Sequence, residues 1–74
     1  MHIDHLIKMA NQIGDFFETM PVHDEALLGI ATHLKNFWEP RMRRELLSCI
    51  DGDQSIRLKP IIAQAIKCHR DMLA

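Results

Sequence analysis

The sequence predicts an all-α protein, a small bundle of about four short amphipathic helices, and three observations carry that prediction. Apolar residues recur at steps of three and four along most of the chain. The three prolines, Pro21, Pro40 and Pro60, fall where helices are expected to stop or start. No stretch alternates apolar and polar residues as a half-buried strand would.

In the first segment Ile3, Leu6, Ile7, Ala10, Ile13, Phe17 and Met20 fall on one helical stripe. Asp4 suits the positive end of the helix dipole. Gly14 costs about 1 kcal/mol against alanine inside a helix, so its presence predicts a close backbone approach at that point. Pro21 stops the helix, because the residue before a proline is driven out of the α region.

A second helix starts near His23 or Asp24, with Asp24 and Glu25 in its first turn. Its core stripe is Leu27, Ile30, Ala31, Leu34 and Trp38, and Phe37 lies on the flank. Pro40 ends this helix and opens a third, with Glu39 at the junction. The third runs to about Ile50 and turns Met42, Leu46, Cys49 and Ile50 inward, until Asp51-Gly52-Asp53 breaks it with turn chemistry. A last helix begins at Pro60 and buries Ile61, Ile62, Ala65, Ile66, His69 or Met72, and Leu73.

The 74 residues allow one domain, residues 1–74, which buries roughly 60% of the surface of the unfolded chain. A chain so short cannot cover all its apolar faces equally, so some are expected to stay exposed. Cys49 and Cys68 both lie within helical patterns, so a disulfide framework is not expected. Charges interrupt every apolar stretch well short of a membrane span, and the cytoplasm is the expected location.

Charge is unevenly divided. Residues 1–37 carry two basic side chains against five acidic ones, and residues 38–74 carry seven against five. The overall charge of -1 argues against bulk attraction to nucleic acid. A helix-turn-helix reading of the second and third helices, with DNA against the arginines, is weakened by the acidic half beside them.

Catalytic and metal chemistry find little support. His2, Asp4 and His5 lie within one helical turn, but no second ligand pair stands at zinc spacing, so solvated or partner-contacting histidines are the preferred reading. Cys49 reads as a small core residue, and Cys68, beside Lys67 and Arg70, lacks any recognisable oxyanion donor. Neither a glycine-rich phosphate loop nor a glycine-bounded serine elbow is present.

FWEPRMRREL, residues 37–46, joins two aromatics, a helix-starting proline and three arginines. Tryptophan and arginine anchor interfaces, so this stretch reads as a recognition surface. The alternative is that Trp38 fills the core while Arg41 pairs with Glu45 and Arg43 with Glu39, contacts worth a few tenths of a kcal/mol. Trp38 can serve both roles.

HIDHLIKMANQIGDFF and HLKNFWEPRMRRELL resemble the delta subunit of bacterial NAD-dependent, molybdenum-containing formate dehydrogenases. The resemblance covers roughly residues 2–73, is most specific at Met9–Phe17 and Phe37–Leu46, and is weakest from Asp51 to Lys59. It implies a non-catalytic accessory subunit that binds the molybdenum-containing catalytic subunit and supports assembly, stability or activity of the complex. It further implies that the bis-pterin molybdenum cofactor, the iron–sulfur clusters, the FMN and the NAD are held by the larger subunits. This chain has two cysteines where an iron–sulfur cluster takes about four. By the same resemblance, Asn11, Gln12, Phe16, Phe37, Trp38, Arg41, Met42, Arg43 and Arg44 are the candidates for docking, with Phe17 beside them. About 100° of helical rotation separates Phe16 from Phe17, so Phe16 is the expected partner contact, the alternative being that both are core residues reached from different helices. Two alternative functions stay open, an assembly factor that handles the molybdenum cofactor through its arginines and, less favoured, a small DNA-binding regulator; the isolated chain is also open to forming a homodimer.

Overall fold

The computed structural model describes residues 2–52 and 56–74. Among them there are five helices and no strand: α1 (Ile3–Phe17), α2 (His23–Phe37), α3 (Pro40–Asp51), α4 (Pro60–Cys68) and α5 (Arg70–Leu73). No helix is long and apolar enough to cross a membrane.

The stripes predicted from spacing do become the core. Helix α2 lies at the centre and packs against α1, α4 and α5, while α3 closes the bundle against α1, α4 and α5. Leu27, Ile30, Ala31 and Leu34 of α2 are buried, as are Ile61, Ile62, Ala65 and Ile66 of α4. Leu6, Ile7 and Ala10 complete the core from α1, and Leu46, Leu47, Cys49 and Ile50 from α3. Leu47 was not among the predicted core residues; α3 buries a wider stripe because it touches three neighbours.

The glycine inside α1 has the expected role. A Cβ on Gly14 would stand 3.1 Å from Ile62 Cγ1 and 3.3 Å from Ile61 Cγ2, so α1 and α4 approach closely there. Gly29 does the same for a side chain, since a Cβ there would stand 2.5 Å from the Phe17 ring. Phe17 therefore lies over α2, partly buried against the core.

Three boundaries differ from the periodic pattern. Helix α1 ends at Phe17 rather than near Met20, because Thr19 N–H and Met20 N–H donate to the carbonyls of Phe16 and Phe17, three residues back. Pro21, lacking an N–H, cannot continue that turn. Helix α3 extends to Asp51, and Gly52 caps it by donating its N–H to the Cys49 carbonyl; Asp53, the last residue of the predicted turn, lies outside the described residues. The final helix is split at His69, where the chain turns before α5. That turn folds α5 back onto α2 and buries Leu73, while His69 and Met72 remain half-buried.

The segment before α4 is held down by α1. Asn11 Nδ2 donates to the Arg57 carbonyl at 3.0 Å, and Lys59 N–H donates to Asn11 Oδ1 at 2.9 Å. Between these two bonds Leu58 enters the core. Ion pairs surround the clamp: Arg57 to Asp4 at 2.6 Å, and Lys59 to Asp15 at 2.8 Å and Glu18 at 3.0 Å. Arg70 holds Asp51 by two bonds of 2.6 and 3.0 Å, tying α5 to the end of α3. The hydrogen bond and then the charge of Arg57 hold the Asp4 carboxyl below its ordinary value of 3.8, and Arg70 acts likewise on Asp51. Asp15 and Glu18 raise the Lys59 ammonium above its ordinary 10.5.

Truncating the fully buried Ile66 to alanine is expected to cost about 2–5 kcal/mol, against about 0.5 kcal/mol or less for the exposed Phe37→Ala, read by urea denaturation. Asn11→Ala leaves the Lys59 N–H without its partner and is expected to cost about 1–3 kcal/mol, with faster amide exchange at Lys59. The two carboxyls with lowered pKa stabilise the fold above their ordinary value and lose that contribution as pH falls through the lowered one. Thermal scans from about pH 6 down to about pH 3 should therefore show a falling Tm, and Asp51→Asn should reduce the fall. At the alkaline end the Lys59 contribution, present below 10.5, is lost as pH rises through the raised value.

Candidate docking surface

Adjacent to the core stripe of α1 runs a second one, Met9, Gln12, Ile13 and Phe16, at steps of three, one and three. On α2, His33 and Phe37 are one turn apart and their rings lie 4.9 Å from each other, tilted by 37°. Between α1 and the end of α2 lies an open groove of about 420 Å³, lined by Met9, Gln12, Ile13, Phe16, Phe17, His33 and Trp38. Five of the seven lining residues are apolar or aromatic and none carries a fixed charge; Gln12 and His33 bring the polar groups.

Phe16 and Phe37 are 67% and 75% exposed, which is unusual for side chains of their size. Phe16 is held edge-on against Phe17, centroids 5.1 Å apart and planes at 89°. The two adjacent rings thus divide as helical rotation requires: Phe17 inward over Gly29, Phe16 outward at the groove. Trp38 is 6% exposed, belongs to the core cluster and also lines the groove, so both readings of this residue apply.

The remaining candidates separate into internal and free groups. Asn11 is engaged in the clamp on residues 57–59 and contributes to the fold. Met42 packs partly buried against the core. Arg43 Nη1 donates to the Lys35 carbonyl at 3.1 Å, so its cation sits at the negative end of α2. Arg41 and Arg44 are exposed. The ion pairs Arg41–Glu45 and Arg43–Glu39 do not form among the described residues; Arg43 instead reaches back to α2.

Gln12, Phe16 and Trp38 therefore share the groove, while Phe37 stacks on its His33 wall. Met9, Ile13 and His33 complete it and were not among the predicted contacts. The spacing of Met9, Gln12, Ile13 and Phe16 carried a signal, but only the placement of α1 beside α2 pairs that stripe with His33.

Elsewhere the chemistry is sparse. Burial pushes the Cys49 thiol above its ordinary value, whereas Cys68 is exposed. Among the described residues no group of three or more His, Cys, Asp or Glu side chains converges as a metal site. His2 Nδ1 lies 3.6 Å from an Asp4 carboxylate that Arg57 already holds. A second cleft of about 300 Å³ lies under the α1–α2 turn, and on its wall His23 Nε2 meets Gln64 Oε1 at 2.8 Å.

The sequence profile of one family, described as NADH-dependant formate dehydrogenase delta subunit FdsD, matches residues 5–66, which include all of α2 and α3, the groove and the clamp. No curated protein and no solved structure matches the chain. By the extent of that match, the chain belongs to the formate dehydrogenase delta-subunit family.

Proposed function

We propose that this chain is a non-catalytic accessory subunit that docks onto the molybdenum-containing catalytic subunit of a cytoplasmic formate dehydrogenase and stabilises the assembled complex. Membership of the delta-subunit family supports the partner. The observation that carries the docking role is the apolar groove with Phe16 and Phe37 exposed beside it. A side chain left in water at that size gains about 1.5–3 kcal/mol when fully covered, which an accessory subunit recovers on its partner.

On this reading the bis-pterin molybdenum cofactor, iron–sulfur clusters, FMN and NAD reside in the larger subunits. The part of this chain is to cover surface on the catalytic subunit and so to favour the associated state by mass action.

Tagged wild-type chain is expected to co-purify the catalytic subunit, and Phe16→Ala/Phe37→Ala to retain its helical circular dichroism while binding at least about tenfold more weakly. Elution of the wild-type chain free of the catalytic subunit would overturn the proposal.

A further inference from the structure

The cations of this chain are used unevenly. Arg57, Lys59 and Arg70 each pair with a carboxylate, and Arg43 caps α2 through the Lys35 carbonyl. Arg41 and Arg44 have neither an ion pair nor a hydrogen bond from their side chains among the described residues. Arg41 lies in the first turn of α3, the positive end of a helix dipole, where cations are disfavoured, and Arg44 follows about one turn later. Helices α1 and α2 place acidic residues in that position, Asp4 in one and Asp24 and Glu25 in the other, but α3 has none in its first turn. The nearest acidic residues in sequence, Glu39 at the N-cap and Glu45 in the second turn, form no ion pair with either arginine, so this corner of α3 presents two unpaired cations among the described residues.

This corner is close along the chain to Trp38, which lines the groove. Arg41 follows Trp38 by three residues, so its Cα lies within about 11 Å of that of Trp38 by chain length alone. An arginine side chain extends far enough to place its guanidinium near whatever occupies the groove.

We propose that the groove and the Arg41–Arg44 corner form one bipartite surface, which takes an amphipathic protein segment with carboxylates flanking its apolar face. The proposal rests on the docking reading above and specifies the chemistry of the segment that docks. A small soluble anion satisfies the arginines and leaves Phe16 and Phe37 in water. An apolar segment with basic flanks fills the groove and sets its charges against Arg41 and Arg44. An acidic amphipathic segment answers both halves, with charge complementarity setting orientation and rate of encounter and the aromatics holding the bound state.

The test uses two synthetic amphipathic helical peptides with the same leucine and phenylalanine face, one flanked by glutamates and the other by lysines. Their binding to the full chain is followed by fluorescence anisotropy. The glutamate peptide is expected to bind at least about tenfold more tightly, with the preference shrinking as salt rises from about 0.05 M to about 0.5 M. Arg41→Glu/Arg44→Glu should reverse that preference, and Phe16→Ser/Phe37→Ser should weaken both peptides while circular dichroism stays unchanged. Equal binding of the two peptides, or a preference that survives Arg41→Glu/Arg44→Glu, overturns the proposal. So does displacement of the glutamate peptide by a guanine dinucleotide, or by self-association of the chain seen in sedimentation. The purified catalytic subunit serves as a separate arm. If it binds wild type and Arg41→Glu/Arg44→Glu alike, the bipartite surface fails and docking stands. If it binds neither while the peptide preference holds, the named partner fails and the surface chemistry stands.

Discussion

The contact between α2 and α4 is the constraint on which the rest of the molecule depends. Ile30 and Leu34 from one helix, and Ile62 and Ile66 from the other, are essentially inaccessible to water. Of the six largest fully buried side chains among the described residues, these four come from α2 and α4, and Leu6 of α1 and Leu46 of α3 complete the set. Gly14 lets α1 settle against α4 beside this contact, and the turn at His69 brings α5 onto α2. Once α2 is surrounded by α1, α4 and α5, there is too little chain left to cover the far side of the α1–α2 seam. The groove is what remains uncovered, and Phe16 and Phe37 are the side chains stranded beside it.

Apart from Arg70–Asp51 between α5 and α3 and His23–Gln64 between α2 and α4, the long-range side-chain bonds of the described residues hold connections in place, and the helices are joined mainly by apolar packing. Asn11 and the pairs Arg57–Asp4, Lys59–Asp15 and Lys59–Glu18 all fasten the segment leading into α4 to the surface of α1. Each ion pair is exposed and individually weak, and none replaces the core. Their common effect is to set where Leu58 enters the core and where Pro60 begins α4. The packed face of α1 is thereby committed to the bundle, and the stripe containing Met9, Gln12, Ile13 and Phe16 is turned toward the groove.

The accessory role we propose is one exerted through surface, and both membership of the delta-subunit family and the distribution of exposed groups support it. Large side chains left in water are costly to an isolated small domain, which has little stability to spare. They are explained economically when a partner covers them. The same holds for Arg41, which stands at the unfavourable end of a helix dipole, and for Arg44 one turn on, while every other arginine is engaged within the chain.

Much of this architecture was legible in the sequence. Periodicity at three and four residues located the helices and most of the core, because which side of a helix is apolar is a local property of the chain. The three prolines marked the boundaries through the missing N–H and the restricted backbone, which are local as well. The division of Phe16 from Phe17 followed from helical rotation alone. What the tertiary structure decided was which faces meet. Asn11 became a clamp because residues 57–59 pass over it, and Arg43 became a helix cap because α3 turns its side chain back to Lys35. The groove likewise exists only because folding brings the Met9–Phe16 stripe of α1 beside His33 and Trp38, so the flat sequence showed its residues but not their convergence. Pairings between residues more than forty positions apart depend on the assembled core, and a one-dimensional pattern holds no record of the distances that create them.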